Sequence, residues 1–290
     1  MAHTNNMRGA FFMMASMAGF VLNDTMIKLV SEDMALFQAV FVRGFFATLF
    51  LGILAWKKKV IFHRPQSNEF KIIAWRTFAE VSATFCFLTA LFNMPLANAT
   101  AILQCLPLSV TLAASIFLGY QVGWRRYLAI LIGFAGVIFI VRPGTDGFNI
   151  YSLWALGAVA FVTLRDLLSH KLNSSTPSIF VALITSISIM VLAGLASATQ
   201  EWQDISPEIL LYLATAGGFI LIGYVAGIAA MRNVEISFVS PFRYTVLIWA
   251  LLLGFFVFGE IPDAITIIGS LIVVGTGIYT FYRERKALIS

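Results

Sequence analysis

The sequence predicts an all-α membrane protein of ten transmembrane helices, arranged as two five-helix repeats with inverted topology. Three observations predict this fold: an apolar composition, apolar segments of about 20 residues, and a weak internal repeat. Of the 290 residues, 60% are hydrophobic and only 11% are charged, whereas soluble domains average about 25% charged residues. Because a bilayer core about 30 Å thick is crossed by about 20 helical residues, ten spans leave no length for a soluble domain.

The apolar segments define the ten predicted spans in chain order. They lie at 9–30, 35–55, 72–92, 96–118, 125–141, 151–171, 178–198, 209–231, 236–258 and 264–282. The first segment is too long for a signal peptide and lacks a clear small-residue cleavage site. Pro95 predicts the break between the third and fourth spans, and residues 233–235 predict the break between the eighth and ninth.

Lysine and arginine in the loops predict the orientation. An N-terminus in the cytoplasm places thirteen basic residues inside and only Lys28 and Arg142 outside, as the positive-inside rule requires. We therefore expect a bacterial inner-membrane protein with both termini in the cytoplasm. The same rule explains the net charge of +5, so we expect no nucleic-acid partner.

An internal repeat appears at an offset of about 140 residues. It aligns Asn93 with Asn233, Gly119 with Gly259, and, at an offset of 142, Asp24 with Asp166. This predicts a first repeat over 1–145 and a second over 146–290. Since each repeat has an odd number of spans, the second must enter the membrane in the opposite direction, an arrangement that many transporters use for alternating access.

Several motifs resemble the drug/metabolite transporter superfamily, in particular its EamA branch. They are the run from Ala90 to Ala99, Pro107 with Leu118-Gly119 in the fourth span, and Pro241 with Phe258-Gly259-Glu260 in the ninth. The resemblance implies a central cavity lined by spans 1, 3, 4, 6, 8 and 9. With its short loops and many aromatic residues, the chain is similar to the aromatic amino-acid exporters of that family, although no motif separates these from its other members. One departure is Gly119-Tyr120, where the family often has Gly-Glu.

Ionisable residues inside the spans are the first functional candidates, because a charge at the bilayer centre costs at least about 2.5–3.5 kcal/mol. We predict gating or coupling roles for Asp24, Arg76, Glu80 and Asp166. The i, i+4 spacing of Arg76 and Glu80 places them on one helix face, where they could also form a purely structural pair. Arg165 and Asp166 likewise have a structural interpretation near the inner interface.

Candidate substrate-binding residues combine mid-span charge with polar groups near helix breaks. They are Arg43, Asn98, Gln104, Tyr224, Arg243 and Tyr244. Arg43 lies too deep to reach the interface easily, so it needs an anion, a carbonyl group or water. Gln104 precedes Pro107 and Tyr244 follows Pro241, where a broken helix exposes backbone groups to a ligand. Hydrogen bonding between helices is the alternative for each polar residue.

These features predict a secondary transporter that exports small amphipathic metabolites, most simply neutral or aromatic amino acids. The alternative is an importer of a cofactor-like or nucleotide-like metabolite on the same fold. The sequence contains no Walker motif and no Gly-x-Ser-x-Gly or His-Glu-x-x-His motif, so we expect neither ATP hydrolysis nor an enzyme. We expect no cofactor and no metal; the predicted partners are a small-molecule substrate and the lipid bilayer, with the protein as a monomer.

Overall fold

The computed structural model describes residues 2–120, 122–145, 148–172, 176–230 and 239–289, apart from the side chains of 2–6, 67, 68 and 284–289. These residues form helices and no strand. The helices are α1 (Ala2–Leu29), α2 (Leu36–Lys57), α3 (Ser67–Asn93), α4 (Leu96–Leu103), α5 (Leu106–Phe117), α6 (Trp124–Val141), α7 (Tyr151–Ser169), α8 (Ser178–Ser197), α9 (Pro207–Ala230), α10 (Thr245–Phe258) and α11 (Ala264–Ile289). A 3₁₀ turn at Ser240–Tyr244 leads into α10.

Nine segments of the described chain are long and apolar enough to cross a membrane, and each matches one of the predicted spans. The remaining predicted span, 72–92, lies in α3. This helix is 27 residues long, but Arg76 and Glu80 lower its mean hydropathy. Its charged groups therefore need partners inside the protein if the helix is to lie in lipid.

Proline breaks the fourth predicted span, as expected. The α-helix is interrupted between α4 and α5, where the N–H groups of Gln104 and Cys105 donate to carbonyls three residues earlier and not four. Pro107 is the second residue of α5. Proline is tolerated in the first turn of a helix because its missing N–H would have no helical partner there. Pro95 likewise separates α3 from α4. The predicted break at 233–235 lies outside the described residues.

Contacts between residues far apart in the sequence join helices of the first half to helices of the second. They include α1 with α9, α2 with α8, α3 with α7, α4 with α10, and α6 with α11. Small residues allow the closest approach: a Cβ on Gly19 of α1 would lie 3.0 Å from the backbone nitrogen of Gly223 in α9. The main buried apolar cluster contains residues from both halves, so the two halves share one core.

The ends of α5 and α10 have the same turn. Gly119 and Gly259 follow these helices with positive φ angles of 71° and 66°, a conformation that glycine adopts without steric cost. The next backbone N–H then donates to a carbonyl six residues earlier, from Tyr120 to Ala114 and from Glu260 to Gly254. The two glycines that the sequence offset aligns therefore lie in turns of the same local geometry.

Candidate functional site

A cluster of charged residues joins α3 to α7 within the bundle. Arg165 Nη1 donates to both carboxylate oxygens of Glu80, at 2.9 and 3.0 Å, and Arg165 Nε donates to Asp166 at 2.9 Å. Arg76 lies on the other side of Glu80, with its Nη2 at 3.5 Å from the carboxylate. We call Arg76, Glu80, Arg165 and Asp166 the inner cluster, because they lie towards the predicted cytoplasmic side.

Hydroxyl groups complete the hydrogen bonding of Arg76. Its Nε donates to Ser169 at 3.0 Å, and its Nη1 donates to Thr185 at 3.2 Å. The Arg76–Glu80 pair predicted from the sequence is therefore present, but Arg165 is the closer partner of Glu80. Three helices, α3, α7 and α8, are fixed to one another here.

A second and sparser cluster joins α1 to α2. Arg43 is 6% exposed, and its Nη1 makes one long hydrogen bond of 3.4 Å to Asn23. Its Nε is buried and has no hydrogen-bond partner among the described residues. The amide of Asn23 also donates to Asp24 at 2.9 Å, and the charges of Asp24 and Arg43 attract each other. We call Asn23, Asp24 and Arg43 the outer cluster.

Tyr224 lies between the two clusters. Its ring packs edge to face on Phe20, with centroids 5.7 Å apart. It lies within electrostatic range of Arg43 in the outer cluster and of Glu80 and Arg165 in the inner one. Of the predicted substrate-binding residues, Arg43 and Tyr224 are therefore brought close to the predicted coupling residues.

Arg243 extends the polar region beyond the inner cluster. Its charge interacts with those of Arg165 and Asp166, and Arg243 is exposed, whereas Ser240 and Tyr244 of the same 3₁₀ turn are buried. Arg243 is therefore an accessible cation within electrostatic range of the inner cluster. This position is compatible with the predicted substrate contact.

The other three predicted binding residues lie apart from the two clusters. Tyr244 is buried and packs against Gly277 and Phe281 of α11, and its hydroxyl group has no partner among the described residues. Gln104 donates to the Thr100 carbonyl at the break between α4 and α5. The buried side-chain oxygen of Asn98 has no described partner. The packing of Tyr244 and the bond of Gln104 favour structural roles, whereas Asn98 keeps a free acceptor.

Some residues of the site were not among the predicted candidates. Asn23 connects Asp24 to Arg43, and Ser169 and Thr185 satisfy Arg76. Asn23 could have been found from its position beside a mid-span aspartate. The two hydroxyl residues carry no such signal, because serine and threonine are frequent in transmembrane helices. Among the described residues, no group of three or more His, Cys, Asp or Glu side chains could hold a metal ion.

A helical bundle with paired and unpaired charges between apolar spans is typical of a membrane transport protein. The profile of the EamA-like transporter family matches residues 7–142 and again 149–282. The chain therefore belongs to the EamA-like transporter family. It is a multi-pass membrane protein.

Relatives over nearly the full length are named for different cargoes. The chain is 25% identical to an S-adenosylmethionine uptake transporter of Rickettsia prowazekii, over 98% of this chain and 96% of that protein. It is 28% identical to a riboflavin transporter of Vibrio cholerae, with 97% and 95% covered. It is 23% identical to the pseudopaline exporter CntI of Pseudomonas aeruginosa, with 90% and 92% covered.

A solved crystal structure shares the fold. It superposes with a TM-score of 0.65 at 15% sequence identity, over 98% of this chain and 99% of the other. The family assignment based on sequence motifs is confirmed. The finer resemblance to aromatic amino-acid exporters is not supported, because these relatives are named for S-adenosylmethionine, riboflavin and pseudopaline.

Proposed function

We propose that the protein imports a cofactor-like or nucleotide-like metabolite across the bacterial inner membrane, as a secondary transporter. This is the alternative that the sequence left open. The direction is supported by the relatives that are named for uptake of S-adenosylmethionine. The single observation that carries the proposal within this chain is Arg43, a buried guanidinium group whose hydrogen-bonding capacity is largely unused.

The chemistry of the outer cluster fits a ligand with both charges. A guanidinium group with free donors binds a carboxylate through charge-assisted hydrogen bonds. Asp24 lies beside it and could accept an ammonium or sulfonium group of the same molecule. Tyr224 and Phe20 offer aromatic surfaces for a ring system. S-adenosylmethionine carries a carboxylate, an ammonium, a sulfonium and a purine ring, so it is the first cargo to test.

Alternating access between two inverted repeats is the transport mechanism that we propose. The pairing of helices supports it. Exchanging the first five spans with the last five converts the α1–α9 pair into the α3–α7 pair and leaves the other three pairs unchanged. The matching turns at Gly119 and Gly259 add independent support. In this mechanism Asp24, Arg76, Glu80 and Asp166 have gating or coupling roles, and Arg43, Asn98, Tyr224 and Arg243 form the candidate binding set. The contacts of the other two predicted binding residues, Gln104 and Tyr244, favour structural roles.

Purified protein in liposomes tests the proposal directly. Labelled S-adenosylmethionine, riboflavin and phenylalanine are offered separately, with and without a proton gradient, and the accumulated label is measured. We expect saturable flux of S-adenosylmethionine. Unlabelled riboflavin is the first compound to test as a competitor of this flux. Flux of phenylalanine alone would contradict the cofactor proposal. The direction needs a separate test, because one relative is named as an exporter. Each compound is loaded into the liposomes, and its efflux is measured for protein inserted in each of the two orientations.

A further inference from the structure

We propose that Lys28 and Glu260 form a clasp that closes the predicted outer end of the bundle and is released when that end opens. Lys28 is the last residue but one of α1, and Glu260 is the second residue after α10. Lys28 Nζ lies 2.5 Å from Glu260 Oε1. The inference rests on the alternating access proposed above, but it does not depend on the identity of the cargo.

The clasp also holds the junction between α3 and α4. Lys28 Nζ donates to the Met94 carbonyl at 2.8 Å, and the Leu96 N–H donates to Glu260 Oε2 at 2.8 Å. Leu96 is the first residue of α4, so this carboxylate binds one of the N–H groups that a helix leaves without a backbone partner. One ion pair thus ties together three segments that are distant in sequence: the ends of α1 and α10 and the start of α4.

The clasp lies mostly out of contact with solvent. The side chains of Lys28 and Glu260 are 11% and 20% exposed, and Lys28 Nζ lies 5.0 Å from the ring centroid of Phe258. Exposed ion pairs contribute little to stability, but removing one partner of a buried pair leaves an uncompensated charge. In this case the loss of Glu260 also leaves the Leu96 N–H without its acceptor. Opening this end therefore requires water or a ligand to replace three strong contacts.

The opposite end of the bundle has no such pair at the corresponding positions. The repeat offset of 142 relates Lys28 to His170, and the offset of 140 relates Glu260 to Tyr120. The rings of Tyr120 and His170 do meet, edge to face with centroids 6.3 Å apart, and both residues are exposed. The two related positions are thus in contact at both ends, with a shielded ion pair at one and an exposed ring contact at the other. At these related positions the contact is therefore stronger at the outer end than at the inner end.

Distances between spin labels test the clasp without any substrate. One label pair at Glu32 and Ile261 reports on the outer end, and a second at Arg125 and Lys171 reports on the inner end. In protein reconstituted in lipid nanodiscs, we expect Glu260→Gln to raise the population with a long outer distance on the order of tenfold. The inner distance should shorten in the same population. Lys28→Gln should act in the same direction.

Asp263→Asn is the matched control. It removes another ion pair on the same side of the membrane, with Arg142, but that pair joins α6 to α11 and does not reach α1. We expect it to leave both distances unchanged. If the wild type shows two distance populations and Glu260→Gln leaves their proportions unchanged, the clasp alone is overturned. An equal shift in the Asp263→Asn protein would also overturn it. A single population in every variant would overturn both the clasp and alternating access, whereas absence of S-adenosylmethionine flux would affect only the cargo.

Discussion

The inner and outer clusters differ in how completely their charges are bonded. In the inner cluster, Glu80 is bound by two arginines, and Arg76 has three partners. In the outer cluster, Arg43 has one long hydrogen bond and an unpartnered Nε. Both clusters lie in helices that we place in the membrane, where leaving a polar group unpaired costs more than it does in water.

The inner cluster thus holds three helices together, as a gate does, whereas the outer cluster offers free hydrogen-bond donors to a ligand. A saturated network resists change, because every rearrangement has to break a charge-assisted bond. An unsaturated guanidinium group is prepared for a ligand that supplies the missing acceptors. We therefore expect mutations in the two clusters to separate: those in the inner cluster should reduce stability first, and those in the outer cluster should reduce transport first.

Replacing Arg165 should have the largest effect on folding. Arg165→Met removes the closest partner of Glu80 and leaves its carboxylate with only the 3.5 Å contact to Arg76. Breaking a buried pair in this way typically costs about 3–5 kcal/mol. The free energy of unfolding is measured in detergent, from thermal or denaturant melting curves. Arg165→Lys keeps the charge and should lose less stability; equal losses in both variants would show that charge pairing is not the cause.

Arg43→Met should have the next largest effect, and this effect should be a loss of transport. Charge-assisted hydrogen bonds are worth about 1.5–3 kcal/mol, so the loss of one to a cargo carboxylate should reduce uptake by about 10- to 100-fold. Stability should change less than in Arg165→Met, because Arg43 makes only one long hydrogen bond and its other partner is the charge of Asp24. Flux and melting temperature are measured on the same preparation.

Arg64→Met is the matched control for Arg43, because Arg64 is an exposed arginine in the loop before α3. It should transport like the wild type. The contrary result is an Arg43→Met protein with a lowered melting temperature and a normal transport rate per folded molecule. It would give Arg43 a structural role and remove the contrast between the clusters.

The smallest effect is expected at an ion pair outside both clusters. The Arg142 guanidinium and the Thr266 N–H hold the pKa of the Asp263 carboxyl well below its usual range. Because this pKa is lower in the folded protein, the pair contributes stability above pH about 4 and loses it as the pH falls further. Half of the Asp263 side chain is exposed, so the contribution should be less than about 1 kcal/mol. Melting curves of wild type and Asp263→Asn should differ slightly at pH 7 and converge on acidification.

Sequence reasoning found the elements of the site that depend on local information. The mid-span charges Asp24 and Arg43 stand out because charge in lipid is costly, and the Arg76–Glu80 spacing follows from helix geometry. The contact between Glu80 and Arg165 joins residues 85 positions apart. It depends on which helices pack together, and nothing in either helix alone specifies that.

Two other features show where local rules fail. Tyr244 ends a 3₁₀ turn, in which each residue rotates the chain by about 120° and not by the 100° of an α-helix, so its direction does not follow the α-helical period. The 27 phenylalanines suit an apolar ligand and lipid equally well, and several, such as Phe45, Phe117 and Phe256, lie on the exposed surface. A surface that faces lipid selects the same residues as an apolar cavity, so composition could not distinguish them.

The polarity of α3 has a consequence for biosynthesis. Glu80 leaves the ribosome long before Arg165, so the translocon must handle a polar segment whose main counter-ion has not yet been made. We expect α3 to remain at the edge of the insertion channel until α7 has been synthesised. It then reaches its final position only after α7 has entered the membrane. The first five spans expressed alone should then be degraded quickly, and co-expression of the second five should rescue them, which pulse-chase labelling would measure.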